Sequence, residues 1–158
     1  VGLVALVADC VPILLADPVR GAVGVVHAGW RGLAAGAPAS AVAAMAGRLG
    51  CDPANLRAAI GPCIGPADYA VGDEVPAALA ARFGAAAERW VARAADGRPA
   101  VDLAAAARDQ LLAAGVPASG IEACGISTAR DPRFFSHRAS GGRTGRFAAA
   151  IARVGAAG

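Results

Sequence analysis

Residues 1–28, VGLVALVADCVPILLADPVRGAVGVVHA, decide the fold. Val1–Ala8 and Val11–Ala16 are short runs rich in Val, Leu and Ile, split by Asp9-Cys10 and closed by Asp17-Pro18, and Gly21–Val26 is a third run of the same kind. Runs of this length and composition, bounded by turn residues, read as adjacent and largely buried strands. The connections between them are too short for helical crossovers. Further along, Ser40–Leu49 carries apolar residues at helical spacing and stops at Gly50. Leu56–Ile60 reads as a strand, Gly61–Pro66 as a rigid turn, Asp73–Phe83 as a helix and Trp90–Ala94 as a short strand. Asp102 is placed to cap a helix through about Ala114 that Gly115 ends. Ile121–Ile126 reads as a strand, Ser127–Gly145 as an ordered loop with one helical turn, and Arg146–Val154 as a closing strand. Strands with interspersed helices, three of the strands tightly joined, make the expected class α+β, with a mixed rather than doubly wound sheet.

The 158 residues suit one compact domain able to bury roughly two thirds of its unfolded surface. A hydrophobic fraction of 56% against 17% charged residues excludes intrinsic disorder. Much of that fraction is alanine, and the chain carries 15 arginines and no lysine, so alanine-rich windows signal helix and nothing more. The net charge of +3 permits anionic partners, but the arginines are spread along the chain and make no basic stripe for nucleic acid. Asp9, Asp17 and Arg20 interrupt the most hydrophobic region well short of a membrane-spanning length. The first residues already read as a strand, with neither an initiator Met nor a basic lead-in, so the expectation is a single domain lacking a segment at its front. Four cysteines at 10, 51, 63 and 124 form no CxxC pair and no disulfide framework, which favours a reducing cytoplasm.

Several residues stand where chemistry is possible. Cys10 and His27 each end an apolar strand beside a turn, and thiolate with imidazole suits zinc or copper, although spacing alone favours two packing residues. Asp9 can orient a ligand, accept a proton or cap a turn. The run from His27 to Gly32 joins two glycines, an aromatic ring at Trp30 and a fixed cation at Arg31, a set fitted to close backbone approach and anion binding or to a plain strand-to-helix turn. Gly61 and Cys63 lie in a loop that resembles a phosphate cradle only superficially, since Pro62 and Pro66 have no N–H to donate. Arg133, Arg138, Arg143 and Arg146 are interleaved with Phe134-Phe135 and Gly141-Gly142, a composition that can surround an anion or line a solvated loop.

Taken in order, four motifs resemble one family. They are Ala8-Asp9-Cys10-Val11-Pro12-Ile13-Leu14, then His27 to Gly32, then Ile60 to Gly65, and finally Asp131 to Arg138 followed by Thr144-Gly145-Arg146. Their sequence and spacing are similar to those of the YfiH-like family, long called the multicopper polyphenol oxidase (laccase domain) family and described as zinc-dependent purine nucleoside phosphorylases that also deaminate adenosine. The resemblance covers nearly the whole chain. It implies layered mixed sheets flanked by helices, a metal (zinc, with copper the older attribution) held by one cysteine and two histidines, and nucleosides and phosphate as substrates. Cys10 matches the cysteine ligand and His27 one of the histidines. The other belongs to a Gln-Val-His type motif lying upstream of the first motif in the family, and this chain starts after that point. His137 stands where the family commonly has tyrosine, and Ala139 where it has a second arginine. The resemblance leads us to expect contacts to substrate from Arg31, Gly61, Cys63, Arg138 and Arg146, with Asp9 as a proton-transfer or orienting group. The alternatives are a copper oxidase of phenols, for which two histidines are few, and a metal-binding fragment without activity.

Overall fold

A computed structural model describes residues 2–154; Val1, at the start of the first expected strand, lies outside the described residues. The central element is a four-stranded mixed sheet in the order β3-β2-β4-β7. It comprises β2 (Val11–Asp17), β3 (Ala22–Ala28), β4 (Arg57–Ile60) and β7 (Ile121–Ala123). β2 runs antiparallel to both β3 and β4, whereas β4 and β7 are parallel. Helices α2 (Ala37–Leu49) and α4 (Leu103–Ala113) lie against this sheet, and α1 (Trp30–Ala34) and α3 (Glu74–Phe83) complete the helical layer. Ile13, Leu15, Leu33, Leu56, Leu103 and Leu111 are fully buried between the layers. Each contributes about 1.5–3 kcal/mol of apolar burial, which makes this interface the source of the fold's stability.

The helix boundaries follow local chemistry. Asp102 accepts the Ala105 N–H at 2.9 Å and so caps α4, and Gly50 closes α2 in the left-handed conformation at φ 65°.

Three expectations about strands need correction. β1 (Gly2–Val7) does not pair with β2 or β3; it forms a separate antiparallel ribbon with β8 (Phe147–Ala152), Leu3 opposite Ile151 and Ala5 opposite Ala149. The cause is Asp9, whose φ of 86° turns the chain sharply between β1 and β2 and carries β1 out of the central sheet. Consequently β1 is only half buried, with Val4 and Leu6 each 58% exposed. β7 ends at Ala123 and not at Ile126, because Gly125 at φ 68° breaks the extended backbone. Finally, β5 (Val91–Arg93) has a hairpin partner that the sequence reading missed, β6 (Pro99–Val101), across the Asp96-Gly97 turn. Within 127–145 the chain makes more than the one helical turn expected: the Asp131 N–H bonds back to the Ser127 carbonyl at 3.1 Å and the Ser140 N–H to the Ser136 carbonyl at 3.2 Å.

Candidate functional site

The β2–β3 register sets Val11 opposite Ala28 and Pro12 opposite His27, so Cys10, just before the ladder, faces Gly29. His27 lies on β3 two residues before Gly29, so the register brings it to the same end of the sheet as Cys10. The Cys10 sulfur occupies the space over Gly29: a Cβ there would stand 2.8 Å from it, so a glycine is what lets the thiol lie against the strand end. His27 is exposed and Cys10 half buried. Burial, reinforced by the Asp9 carboxylate, pushes the Cys10 thiol pKa up, and the Arg146 guanidinium pulls it partly back.

Asp9 is buried at 7% exposure, and both its oxygens are engaged. Oδ1 accepts the Thr128 hydroxyl at 2.7 Å, and Oδ2 accepts the Arg138 N–H at 2.7 Å. Its carbonyl accepts the Ile64 N–H at 3.0 Å. The Arg138 side chain is held separately: it donates to the Ala70 carbonyl at 2.7 Å, and its guanidinium lies 5.1 Å from the Tyr69 ring centre. Tyr69 is itself pushed up in pKa, chiefly by burial and then by the Cys10 charge, while Arg138 and Arg31 act in the opposite sense. Arg31 also covers the Trp30 ring at 4.2 Å, and Arg146 donates to the Gly145 carbonyl at 2.9 Å. A second clamp ties in the start of the loop, where Asp68 accepts from both Ser127 (2.9 Å) and Arg130 (2.8 Å).

Gly61 and Cys63 line a neighbouring cavity of about 220 Å³ together with Asp102, Gly125 and Ser127. The Gly61 N–H is donated to the Pro12 carbonyl at 2.9 Å, so this glycine offers a ligand surface and not a donor. Cys63 is buried, and that burial pushes its thiol up to about 12, which leaves it protonated and unreactive at neutral pH. His137 stays at the tip of its own loop, its ring over Gly142.

Sequence reasoning did not single out Tyr69 or Thr128. Tyr69 is the only tyrosine of the chain, and that scarcity was the available signal; Thr128 sits in an unremarkable Ile-Ser-Thr run and carried none.

Among the described residues no three His, Cys, Asp or Glu side chains converge on a point that could hold a metal ion. A thiol and an imidazole are donors suited to zinc, and Asp9 is withdrawn into its own hydrogen bonds. What fold and site define is an α+β domain presenting a thiol and an imidazole at one end of its central sheet.

The family of that description is identifiable. The family model described as multi-copper polyphenol oxidoreductase laccase matches residues 1–154, and the chain belongs to this family. It is 47% identical over 148 residues to a purine nucleoside phosphorylase of Xylella fastidiosa, covering 92% of this chain and 54% of that protein. To adenosine deaminase RL5 of an unknown prokaryotic organism it is 42% identical over 140 residues, covering 88% and 53%. The crystal structure of YlmD from Geobacillus stearothermophilus superposes with a TM-score of 0.91 at 42% identity, covering 97% of this chain and 57% of that one, which confirms the expected α+β class. The chain spans about half the length of the curated relatives it matches. The relatives named for their reactions are enzymes, and the family's description implies a metal. No helix among the described residues is long and apolar enough to cross a membrane.

Proposed function

We propose that the complete protein is a zinc-dependent purine nucleoside phosphorylase acting on inosine, guanosine, adenosine or methylthioadenosine, with adenosine deamination as a second activity. The observation that carries the reading is the placement of Cys10 and His27 at the same end of the β2–β3 pair. Relatives named purine nucleoside phosphorylase and adenosine deaminase support it. In this reading Cys10 and His27 hold zinc. Zinc when bound supplies Lewis acidity at the reacting centre.

The chain's own residues supply the rest. Phosphorolysis forms a bond from a phosphate oxygen to C1′ of the ribose and breaks the bond from C1′ to the purine nitrogen, which takes up a proton as the base departs. Arg31, Arg138 and Arg146 neutralise the phosphate and orient it by charge-assisted hydrogen bonds. Trp30 and Tyr69 offer flat faces for the base or sugar. Gly61 and Cys63 contribute an apolar wall, and Asp9 orients the site. The four cysteines are free, which suits a cytoplasmic setting.

The test is phosphate-dependent release of purine. Arg31→Ala should raise the phosphate concentration needed for half-maximal phosphorolysis about ten- to a hundredfold, the effect of losing one charge-assisted contact, and spare deamination, which consumes water. Equal damage to both reactions would put Arg31 on the nucleoside, and no phosphate-dependent release from the wild type would overturn the reading. The family's description favours one second reading, a copper oxidase of phenols using the same two donors. Oxygen uptake with a phenol, without purine release, would select it.

A further inference from the structure

Asp9 is the one non-glycine residue with positive φ among the described residues, and it stands immediately before Cys10. An aspartate tolerates the left-handed region better than most side chains, yet such a conformation persists only where its surroundings hold it. Here they do so from three directions. Thr128, 2% exposed, donates to Oδ1 at 2.7 Å; the Arg138 main chain donates to Oδ2 at 2.7 Å; and Ile64 donates to the Asp9 carbonyl at 3.0 Å. Thr128 is anchored in turn, its N–H bonded to the Cys63 carbonyl at 3.0 Å. One carboxylate therefore joins the turn that carries Cys10 to the loop that carries Arg138.

A proton acceptor must come within hydrogen-bond reach of the substrate proton it takes. Asp9 is 7% exposed with both oxygens already committed to short, charge-assisted bonds. We infer that Thr128 is a positioning residue: through the Asp9 carboxylate it holds the Arg138 loop against the Cys10 turn, and Asp9 serves as that clamp and not as a proton acceptor. The Arg138 guanidinium then reaches Tyr69 and the Ala70 carbonyl from a fixed backbone position. The consequence for turnover rests on the phosphorolysis reading above, whereas the clamp itself does not.

The experiment is hydrogen exchange at the Arg138 amide, with tryptic cleavage after Arg138 and Arg143 as a second measure of loop opening. Thr128→Val keeps the shape and removes the hydroxyl; it should speed both about ten- to a hundredfold, as expected for loss of a hydrogen bond to a charged group. Thr128→Ser should restore wild-type rates. Asp9→Gly provides an independent variant, because glycine takes a φ of 86° without penalty while losing both side-chain bonds. It should speed Arg138 exchange at least as much. Unchanged exchange in either Thr128→Val or Asp9→Gly would overturn the inference. So would a uniform acceleration that included β2 and α4, since the hydroxyl would then serve global stability and not the loop.

In turnover, Thr128→Val should raise the phosphate KM more than it lowers kcat, and Thr128→Ser should reverse this; a pure kcat loss that serine fails to rescue contradicts positioning. A wild-type protein that releases no purine with phosphate defeats the functional reading alone, and the exchange comparison still decides the clamp.

Discussion

Replacing Gly29 by alanine should damage metal binding far more than folding. Gly29 has φ −82° and ψ −175°, a backbone any residue adopts, so the substitution introduces no conformational strain. The added Cβ, however, would stand 2.8 Å from the Cys10 sulfur, against about 3.4 Å or more for ordinary contact, so the sulfur must move by at least about 0.6 Å. Rotation about the Cys10 side chain can relieve the overlap, since the Cys10 Cβ is 3.9 Å away. The stability cost is then near the lower end of the range for overpacking, about 1 kcal/mol, or roughly 2–4 °C in Tm. A metal site holds its ligand distances to within about 0.2 Å, and a displacement several times that should weaken zinc binding about 10- to 100-fold. The assay is competition for zinc against a chromophoric chelator in the complete protein. Gly32→Ala is the control, because its Cβ meets nothing closer than the Ala28 Cβ at 3.4 Å. Wild-type zinc affinity in Gly29→Ala, with the Tm lowered, would show that the Cys10 sulfur is not a ligand.

Three further outcomes follow from packing and charge. Gly61→Ala brings a Cβ to 2.9 Å from the Pro12 ring, where β2 and β4 close on each other, and should cost about 1–3 kcal/mol in urea unfolding; an unchanged midpoint would contradict that close approach. Alkylation followed by mass spectrometry should label exposed Cys124 first and half-buried Cys10 more slowly, with zinc protecting Cys10. Cys63 and Cys51 should react only on unfolding, and native labelling of Cys63 as fast as Cys124 would refute its burial. Asp17, 1% exposed, is held below the ordinary carboxyl pKa of 3.8, chiefly by the Arg20 N–H, against the opposing push of burial. Its ionised form therefore contributes stability that is present above about pH 4 and is lost as the pH falls toward the folded-state pKa. Asp17→Asn should flatten the decline in unfolding midpoint below pH 4, and an equally steep decline in the variant would refute the assignment.

What the sequence made legible was what depends on local chemistry. β2 and β3 followed from apolar runs too closely joined for crossovers, and α4 from a capping aspartate and a terminal glycine. β1 was found as an element yet misplaced in its sheet, because a run apolar on both faces says nothing about its partner and the left-handed Asp9 leaves no mark on composition. β6 was missed because three residues starting with proline give too short a period, although Asp96-Gly97 was a readable hairpin turn. Cys10, His27 and the arginines were named from motifs far apart in sequence. What links the segments carrying them is strand register and the Asp9–Thr128 bond across 119 residues, which no local pattern encodes. Tyr69 and Thr128 belong to that long-range layer, and only the fold brings them to the site.

The central claim is that Cys10 and His27 hold the metal. X-ray absorption at the zinc edge of the complete protein tests it most directly. The expected spectrum contains one sulfur at about 2.3 Å and nitrogen near 2.0–2.1 Å, with the sulfur shell lost in Cys10→Ser and a nitrogen lost in His27→Ala. A shell of nitrogen and oxygen alone, unchanged by either substitution, would contradict it.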